Sequence, residues 1–394
     1  MSFLGYESSA YSGPAMKIGA GVLGYEMLQT AHNNGFVAVT GECPTVGVAG
    51  GYTQGGGHSA LSTSFGLAAD QTLEFEVVTA LGLIVTASPT QNSDLYWALS
   101  GGGPGTYGVV ISATVKVYPE ATVGGASIQI AAAYTTPTNF NMALSEFHAM
   151  LPNMTDQGAM VVYYVNSAIF VINPVTVYNS TAAYVRDVVL APFLAVLTEL
   201  AIPAAISFTE LSYYDHYNTY MGPLPYGNLG VEEYQFGSRL IPRSVLEENN
   251  DAFQTVLQNL TAHGVLAVGS SASYAKPAGG LKNSVLPAWR DTTVHLQLTT
   301  PWSETAPWSD MVAAQMVMTN EFVPQLTAIT PNSGAYMNEA DFRQPNWQQT
   351  FFGANYPALL AVKQKWDPFS VLYGLSLVGS EAWTVGTDGR MCRT

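Results

Sequence analysis

Two glycine-dense tracks in the first third of the 394-residue chain constrain its fold more than any other feature. The first runs Gly41-Glu42-Cys43-Pro44-Thr45-Val46-Gly47, continues through Gly50-Gly51 and ends at Gly55-Gly56-Gly57-His58. The second is Ser100-Gly101-Gly102-Gly103-Pro104-Gly105-Thr106-Tyr107-Gly108-Val109-Val110, led in by Asp94-Leu95-Tyr96-Trp97. Residues without a Cβ let backbone come close to a flat ligand and tolerate positive φ, and successive backbone N–H groups form anion-binding concavities. Any one of these glycines also reads as an ordinary turn residue. Two such tracks close together point to a cofactor bed.

Composition narrows the classes. With 48% hydrophobic and 10% charged residues the chain can bury a substantial core, and its length predicts two lobes. Thirteen Lys plus Arg against 28 Asp plus Glu give a net charge of −15, which repels polyphosphates and argues against a nucleic-acid partner. Two cysteines, Cys43 and Cys392, cannot make a disulfide framework, and a bridge between them has no support in the sequence. The six histidines, His32, His58, His148, His216, His263 and His295, show no paired ligand spacing, so no metal is expected. The apolar stretch Val188 to Phe208 is interrupted by Pro192, Glu199 and Pro203 and predicts a core helix with its exit loop, not a membrane span. Met1 to Ala10 carries no leader pattern, while sequons at Asn153, Asn179 and Asn259 would suit a secreted glycoprotein, so the compartment stays open.

Short strands, one helix and many glycines alternate from Ala15 to Tyr118. Ile128 to Ala133 and Val161 to Ile172 then read as strands, and Asn139 to Met150 and Ala182 to Leu200 carry apolar residues at helical spacing. This alternation predicts an antiparallel sheet covered by helices on one side. Phe75 to Ala87 reads as a hairpin turning at Leu81-Gly82, with strain if Leu81 takes positive φ. Asn355, Pro357 and Asp367-Pro368 signal a helix, with Asn355 as its cap. Gly19-Ala20-Gly21-Val22-Leu23-Gly24 matches a dinucleotide fingerprint, with Glu42 near the ribose-acid spacing. The strand before it, Met16-Lys17-Ile18, is short and carries a lysine, which argues against a buried parallel strand.

The run Ile18 to Pro119, with GECPTVG, GGYTQGGGHS and DLYWALSGGGPGTYGVV, closely resembles the flavin domain of fungal berberine-bridge-enzyme-like oxidases of the vanillyl-alcohol-oxidase superfamily. Ala335-Tyr336-Met337-Asn338-Glu339-Ala340-Asp341, Asn355-Tyr356 and Lys363-Gln364-Lys365-Trp366-Asp367-Pro368 resemble that family's closing segment. The resemblance implies an α+β, PCMH-type FAD-binding fold with an inserted substrate lobe of antiparallel sheet plus helices. The implied segments are 1–120 for flavin, 121–337 for substrate and 338–394 for the return to the flavin domain. It also implies a subdomain ahead of Ile18, supplying a pyrophosphate loop and a flavin-linked histidine, that this sequence does not contain. The flavin fold is therefore expected to be N-terminally incomplete.

The same resemblance implies the site. Cys43 sits where bicovalent members bond sulfur to flavin C6. Thr45, Val46, Gly47, Gly50, Gly51, Gly55, Gly56, Gly102, Gly103, Gly105, Tyr107, Gly108, Val109, Asn338 and Asn355 would line the FAD. Glu339 matches the position of a catalytic tyrosine in relatives and is the expected base, with Tyr336 beside it. Desolvation against the flavin would raise the Glu339 pKa toward the working range, although a solvated loop acid would look the same in sequence. His58 follows three glycines and reads as a turn-capping or core residue, and His216 as structural. Tyr213, Tyr214, Tyr217, Tyr220, Tyr226 and Trp347 suit either a substrate pocket or a packed core.

The function these residues imply is FAD-linked oxidation of an alcohol or other small organic substrate. Hydride passes to the flavin and dioxygen reoxidises it, in a setting of fungal secondary metabolism. The alternative is a shortened, noncatalytic relative that holds no FAD.

Overall fold

The computed structural model describes residues 1–228, 230, 234–275 and 280–394. Its first sheet has five strands in the spatial order Ser2–Glu7, Ser12–Gly19, Val109–Lys116, Thr72–Val78 and Ile84–Ala87, and every pairing is antiparallel. The strict alternation of Thr72–Val78 explains its place: Leu73, Phe75 and Val77 point into the core while Glu74 and Glu76 face outward. Lys17, one strand removed across Val109–Lys116, pairs with Glu76 at 2.8 Å, so the lysine that argued against a parallel first strand sits on the polar face of an antiparallel one. The fingerprint does lead into a helix, Gly24–His32, whose start is closed by Glu26 accepting from the Leu23 N–H at 2.9 Å. The sheet beneath it is not a Rossmann sheet.

The second sheet has seven strands in the order Ala205–Ser212, Thr122–Ala131, Ile169–Tyr178, Ala159–Val165, Leu266–Ser271, Thr292–Pro301 and Tyr234–Pro242, again wholly antiparallel. The segment read as one strand from Val161 to Ile172 is a hairpin. Asn166 makes the turn, its side-chain oxygen accepting from the N–H groups of Ala168 and Ile169.

Helices cover one face of this sheet. Pro137–Asp156 starts at Thr136, which accepts from the Asn139 N–H at 3.1 Å, and buries Phe140, Leu144, Phe147, Leu151 and Met154 along one stripe. That stripe meets Tyr163, Phe170, Phe193 and Phe253 in the largest apolar core of this lobe. The region from Ala182 to Leu200 is broken into Ala182–Tyr184, Val185–Val189 and Ala191–Glu199, the last beginning where Pro192 fits a first turn. Among the described residues no helix is long and apolar enough to cross a membrane.

The opposite face of the seven-stranded sheet turns toward the first lobe. Between them lies a small third core of Leu67, Ala69, Met160, Val162, Leu240, Tyr274, Trp289 and Tyr336. A buried clamp ties the lobes together there: Asp70 accepts two hydrogen bonds from Arg290, both 2.9 Å, and others from Asn283 and the Leu67 N–H.

Three local expectations change. At the first hairpin Gly82 takes the positive φ, 78°, and Leu81 is unstrained. Asn355 does not cap the Tyr356–Trp366 helix with its side chain, which instead donates to the carbonyls of Ser284 and Val285. Cys43 and Cys392 are both free thiols.

Candidate active site

The closing segment carries Glu339 into the space between the lobes. Met337–Glu339 forms a single tight turn, and the Glu339 carboxylate meets two histidines from distant parts of the chain. His58 Nε2 donates to one carboxylate oxygen at 3.0 Å and His295 Nε2 to the other at 2.8 Å. Both rings are buried, whereas the Glu339 side chain keeps 32% of its surface open. The open carboxylate is therefore the member of this trio that can touch a ligand.

The first glycine track explains how His58 arrives there. Gly56 and Gly57 take φ of +119° and +75°, and a Cβ on Gly57 would lie 2.8 Å from that of Ala68 and 2.9 Å from the Tyr52 ring. Tyr52 then fixes the next residue by donating to the His58 carbonyl at 2.8 Å. His295 comes from the sheet: Val294, Leu296 and Leu298 face the helices, so His295 faces the other lobe, paired with Leu240 and Ser270 on its neighbours. Tyr336 presents its ring edge-on to His58, His295 and Trp289, each at 5.5 Å between centroids. Asn338 donates to the Tyr336 hydroxyl at 2.7 Å and to the Gly51 carbonyl at 2.9 Å, which ties the closing segment to the glycine track.

Electrostatics reverse the expected state of Glu339. Burial alone pushes its pKa up, but the His58 charge and hydrogen bonds from both histidines outweigh that and hold the carboxyl far below the usual carboxylate range. Burial also works against a charged His58, yet Glu339 and then Glu42 push it up to about 9. His295 moves the other way, because its desolvation exceeds what Glu339 returns. At neutral pH the trio is therefore an ionised Glu339 between a cationic His58 and a neutral His295. The expectation of a carboxyl raised by desolvation is corrected accordingly.

The two histidines, without paired spacing in sequence, are brought together by the fold. Their nitrogens contact Glu339 at 3.0 and 2.8 Å, and the three ligand-type atoms lie within 4.8 Å of one another, a cluster the sequence spacing did not reveal.

The glycines and their neighbours divide into two groups. Gly55 packs on Asn338, Gly102 on Ala98, Leu359 and Ser284, Gly103 on Phe352, and Gly108 on Val77, with an added Cβ at 2.5, 2.5, 3.3 and 2.4 Å from the nearest atom. These four positions leave little or no room for a Cβ, and Gly56 is glycine because of its φ of +119°. Tyr107 is fully buried and donates to the Gly102 carbonyl, so it braces the second track from inside. Asn355 likewise spends its amide on protein carbonyls. By contrast, Gly50 and Gly105 have nothing within 4 Å of an added Cβ, and Gly47 and Gly51 have only contacts at 3.8 and 3.9 Å. Thr45, Val46 and Val109 are exposed, and Cys43 is half-exposed with its sulfur 3.3 Å from the Thr45 hydroxyl.

The open backbone strip, the thiol and the buried ion pair are tied to one another: Glu42 precedes Cys43 and lies 3.6 Å from His58, and Asn338, next to Glu339, bonds the Gly51 carbonyl. The Glu42 Oε1 and His58 Nδ1 atoms are buried without hydrogen-bond partners. This set fits a flat ring system edged with hydrogen-bonding atoms, as a flavin is. Several residues suspected of lining a substrate pocket have packing roles. Tyr213, Tyr217 and Tyr220 are core, Tyr214 stacks on His32, Tyr226 is exposed, and Trp347 packs on Phe352 and Tyr356. His216 is buried against Thr176 at 2.8 Å and is structural.

Comparison with known proteins agrees with this geometry. Residues 335–373 match the family model described as Berberine and berberine like. The chain is 47% identical over 395 residues to the FAD-linked oxidoreductase ZEB1 of Gibberella zeae, an alignment covering all of this chain and 69% of that protein. It is 45% identical to the FAD-linked oxidoreductase patO of Aspergillus clavatus, covering 100% of this chain and 68% of the relative. The crystal structure of the VAO-type flavoprotein MtVAO615 from Myceliophthora thermophila superposes with a TM-score of 0.94 at 39% identity, over 100% of this chain and 72% of that one. Glucooligosaccharide oxidase from Acremonium strictum, described as carrying 6-S-cysteinyl, 8α-N1-histidyl FAD, shares the fold with a TM-score of 0.75 at 21% identity, over 95% of this chain and 80% of that one. The α+β architecture is that of these flavoproteins, and the protein is an FAD-dependent oxidoreductase of the oxidase type. The chain belongs to the berberine-bridge-enzyme-like FAD-linked oxidoreductases of the vanillyl-alcohol-oxidase superfamily.

Proposed function

We propose that this enzyme oxidises a carbinol of a small organic substrate, with Glu339 taking the hydroxyl proton. The supporting observation is the open carboxylate of Glu339, fixed at both oxygens by His58 and His295. An anion so held cannot turn away from a substrate hydroxyl, and because the histidines lower its proton affinity it takes the proton only as hydride leaves the same carbon and the hydroxyl becomes strongly acidic. His58, charged, balances the anion before the proton arrives. Tyr336 and Asn338 keep the carboxylate's turn against the glycine track. Bound FAD supplies the hydride acceptor, and dioxygen takes the two electrons onward as hydrogen peroxide. Kinship with the decalin synthase calF of Penicillium decumbens, 35% identical, supports a substrate from secondary metabolism.

Gly47, Gly50, Gly51 and Gly105 would hold the cofactor by backbone, beside Thr45 and Val46. Cys43 would add a covalent tie, its sulfur bonding to ring carbon C6 while the thiol and C6 hydrogens leave with two electrons to dioxygen. In Cys43→Ala, the yellow colour should no longer survive acid precipitation; colour retained in the pellet removes the tie. Glu339→Gln tests the base. In anaerobic stopped flow with an alcohol that bleaches the flavin, its reduction should slow about a hundredfold or more at unchanged FAD content. A rate near wild type removes Glu339 from the reaction, and bleaching without peroxide on admitting air removes the oxidase half.

A further inference from the structure

One buried acid in this site has no part in the chemistry so far. Glu42 directly precedes Cys43, and its backbone carbonyl is gripped by the Tyr217 hydroxyl at 2.9 Å. Its carboxylate points inward, and Oε1 lies 3.6 Å from His58 Nδ1. Neither atom has a hydrogen-bond partner. The other ring nitrogen of His58 is already bonded to Glu339 at 3.0 Å, and Glu339 in turn to His295 at 2.8 Å. The four side chains form one line, carboxylate, imidazole, carboxylate, imidazole, from the thiol-bearing track to the sheet.

We propose that Glu42 is a positioning residue for the oxidation, holding the His58 imidazolium from its Nδ1 side so that His58 in turn keeps Glu339 ionised and oriented in the site. This rests on Glu339 being the base assigned above. A buried imidazole can stay cationic only where anions compensate its lost hydration. Glu339 alone meets that need at one nitrogen; Glu42 meets it at the other, after an approach of less than 1 Å from its 3.6 Å separation. The alternative role, a plain packing acid, would leave two buried unpaired polar atoms facing each other, each costing free energy.

The remaining groups near this line are compatible with the assignment. Tyr52 bonds only the His58 backbone, and Tyr336 presents its ring edge to the imidazole. His295 opposes a charge on His58. Ser270 supports the Glu42 carboxylate, while Tyr213, Tyr217 and Tyr274 stay protonated beside it. Burial, with Glu339 adding to it, leaves the Glu42 carboxyl above the usual carboxylate range, and His58 and Ser270 offset only part of that rise.

The test is the pH dependence of anaerobic flavin reduction in the FAD-loaded enzyme, wild type against Glu42→Gln and Glu42→Asp. Wild type should show an alkaline inflection as His58 loses its proton. Glu42→Gln, nearly isosteric, should move that inflection down by about one pH unit or more, the scale of losing an opposite charge at this distance. Glu42→Asp should move it less. An inflection unmoved in Glu42→Gln, with Glu339→Gln still impaired, overturns the role of Glu42 and leaves Glu339 standing; a Glu339→Gln rate near wild type fails the underlying assignment instead. Should Glu42→Gln not fold, the ring-nitrogen shifts of His58 in 15N-histidine-labelled wild type decide the matter. Cationic shifts persisting above pH 7 with both N–H protons present support it, and a neutral ring at pH 7 overturns it.

Discussion

Raising the pH should weaken this fold through one residue, and the size of the effect follows from the site. His58 is held at about 9 in the folded protein against an ordinary value of 6.5. A group whose folded pKa is raised contributes stability that is complete below its unfolded pKa and lost as pH climbs through the folded one. The window is thus pH 6.5 to 9. A rise of that size corresponds to about 3 kcal/mol at 1.36 kcal/mol per unit. The depressed Glu339 reports the same interaction from its other end, so the two are not added. Its share disappears on the acid side, as pH falls below the ordinary carboxylate range and toward the folded value. The assay is thermal unfolding of wild type and His58→Gln from pH 6 to 10 under matched FAD loading. The wild-type advantage should be largest near pH 6 and shrink by a few degrees by pH 10, where the remaining gap measures only the packing cost of the substitution. Two parallel curves across that range would refute a charged His58 in the folded state.

Other perturbations separate packing from binding. Gly102→Ala sets a Cβ 2.5 Å from the Ala98 carbonyl and should cost about 1–3 kcal/mol in urea unfolding, while Gly50→Ala, with nothing within 4 Å, should leave stability intact and weaken FAD retention on dilution. Equal stability of the two variants would contradict the division of the glycines. Asp70→Asn removes the buried anion that Arg290 grips with two bonds and should lower stability by about 3 kcal/mol. A midpoint unchanged within error would show that the clamp contributes nothing to holding the lobes together.

Local chemistry explains which parts of this molecule were legible beforehand. The alternation of Thr72–Val78, the apolar stripe of Pro137–Asp156 and the Pro357 signal before Trp366 each act over a few residues, and the structure places a strand and two helices there. The family was legible because its glycine tracks and closing segment are contiguous words. Where the expectation changed, the deciding atom was distant in sequence. Asn355 looked like a cap until the carbonyls of Ser284 and Val285 came within reach of its amide. Gly55 and Gly102 read as ligand glycines, and the fold adds a second reason for glycine there, since Asn338 and Leu359 occupy the space a Cβ would need.

The trio of Glu339, His58 and His295 shows the same limit most sharply. Glu339 could be singled out from its own segment, but its ionisation could not, because that depends on His58, 281 residues away, and on His295, 44 residues away. Considered alone, a partly buried carboxyl has only desolvation acting on it, and the inferred shift is upward. Two imidazoles reverse the sign. A usable signal for His295 did exist in Thr292-Thr293-Val294-His295-Leu296-Gln297-Leu298, where the period of two puts a histidine on the face that Val294, Leu296 and Leu298 do not use. A basic group on the inner face of a strand needs an acid opposite it. In this chain the acids within reach are the partly open Glu339 and, through His58, the more enclosed Glu42, so burial and charge balance together leave Glu339 as the carboxylate that can meet a substrate.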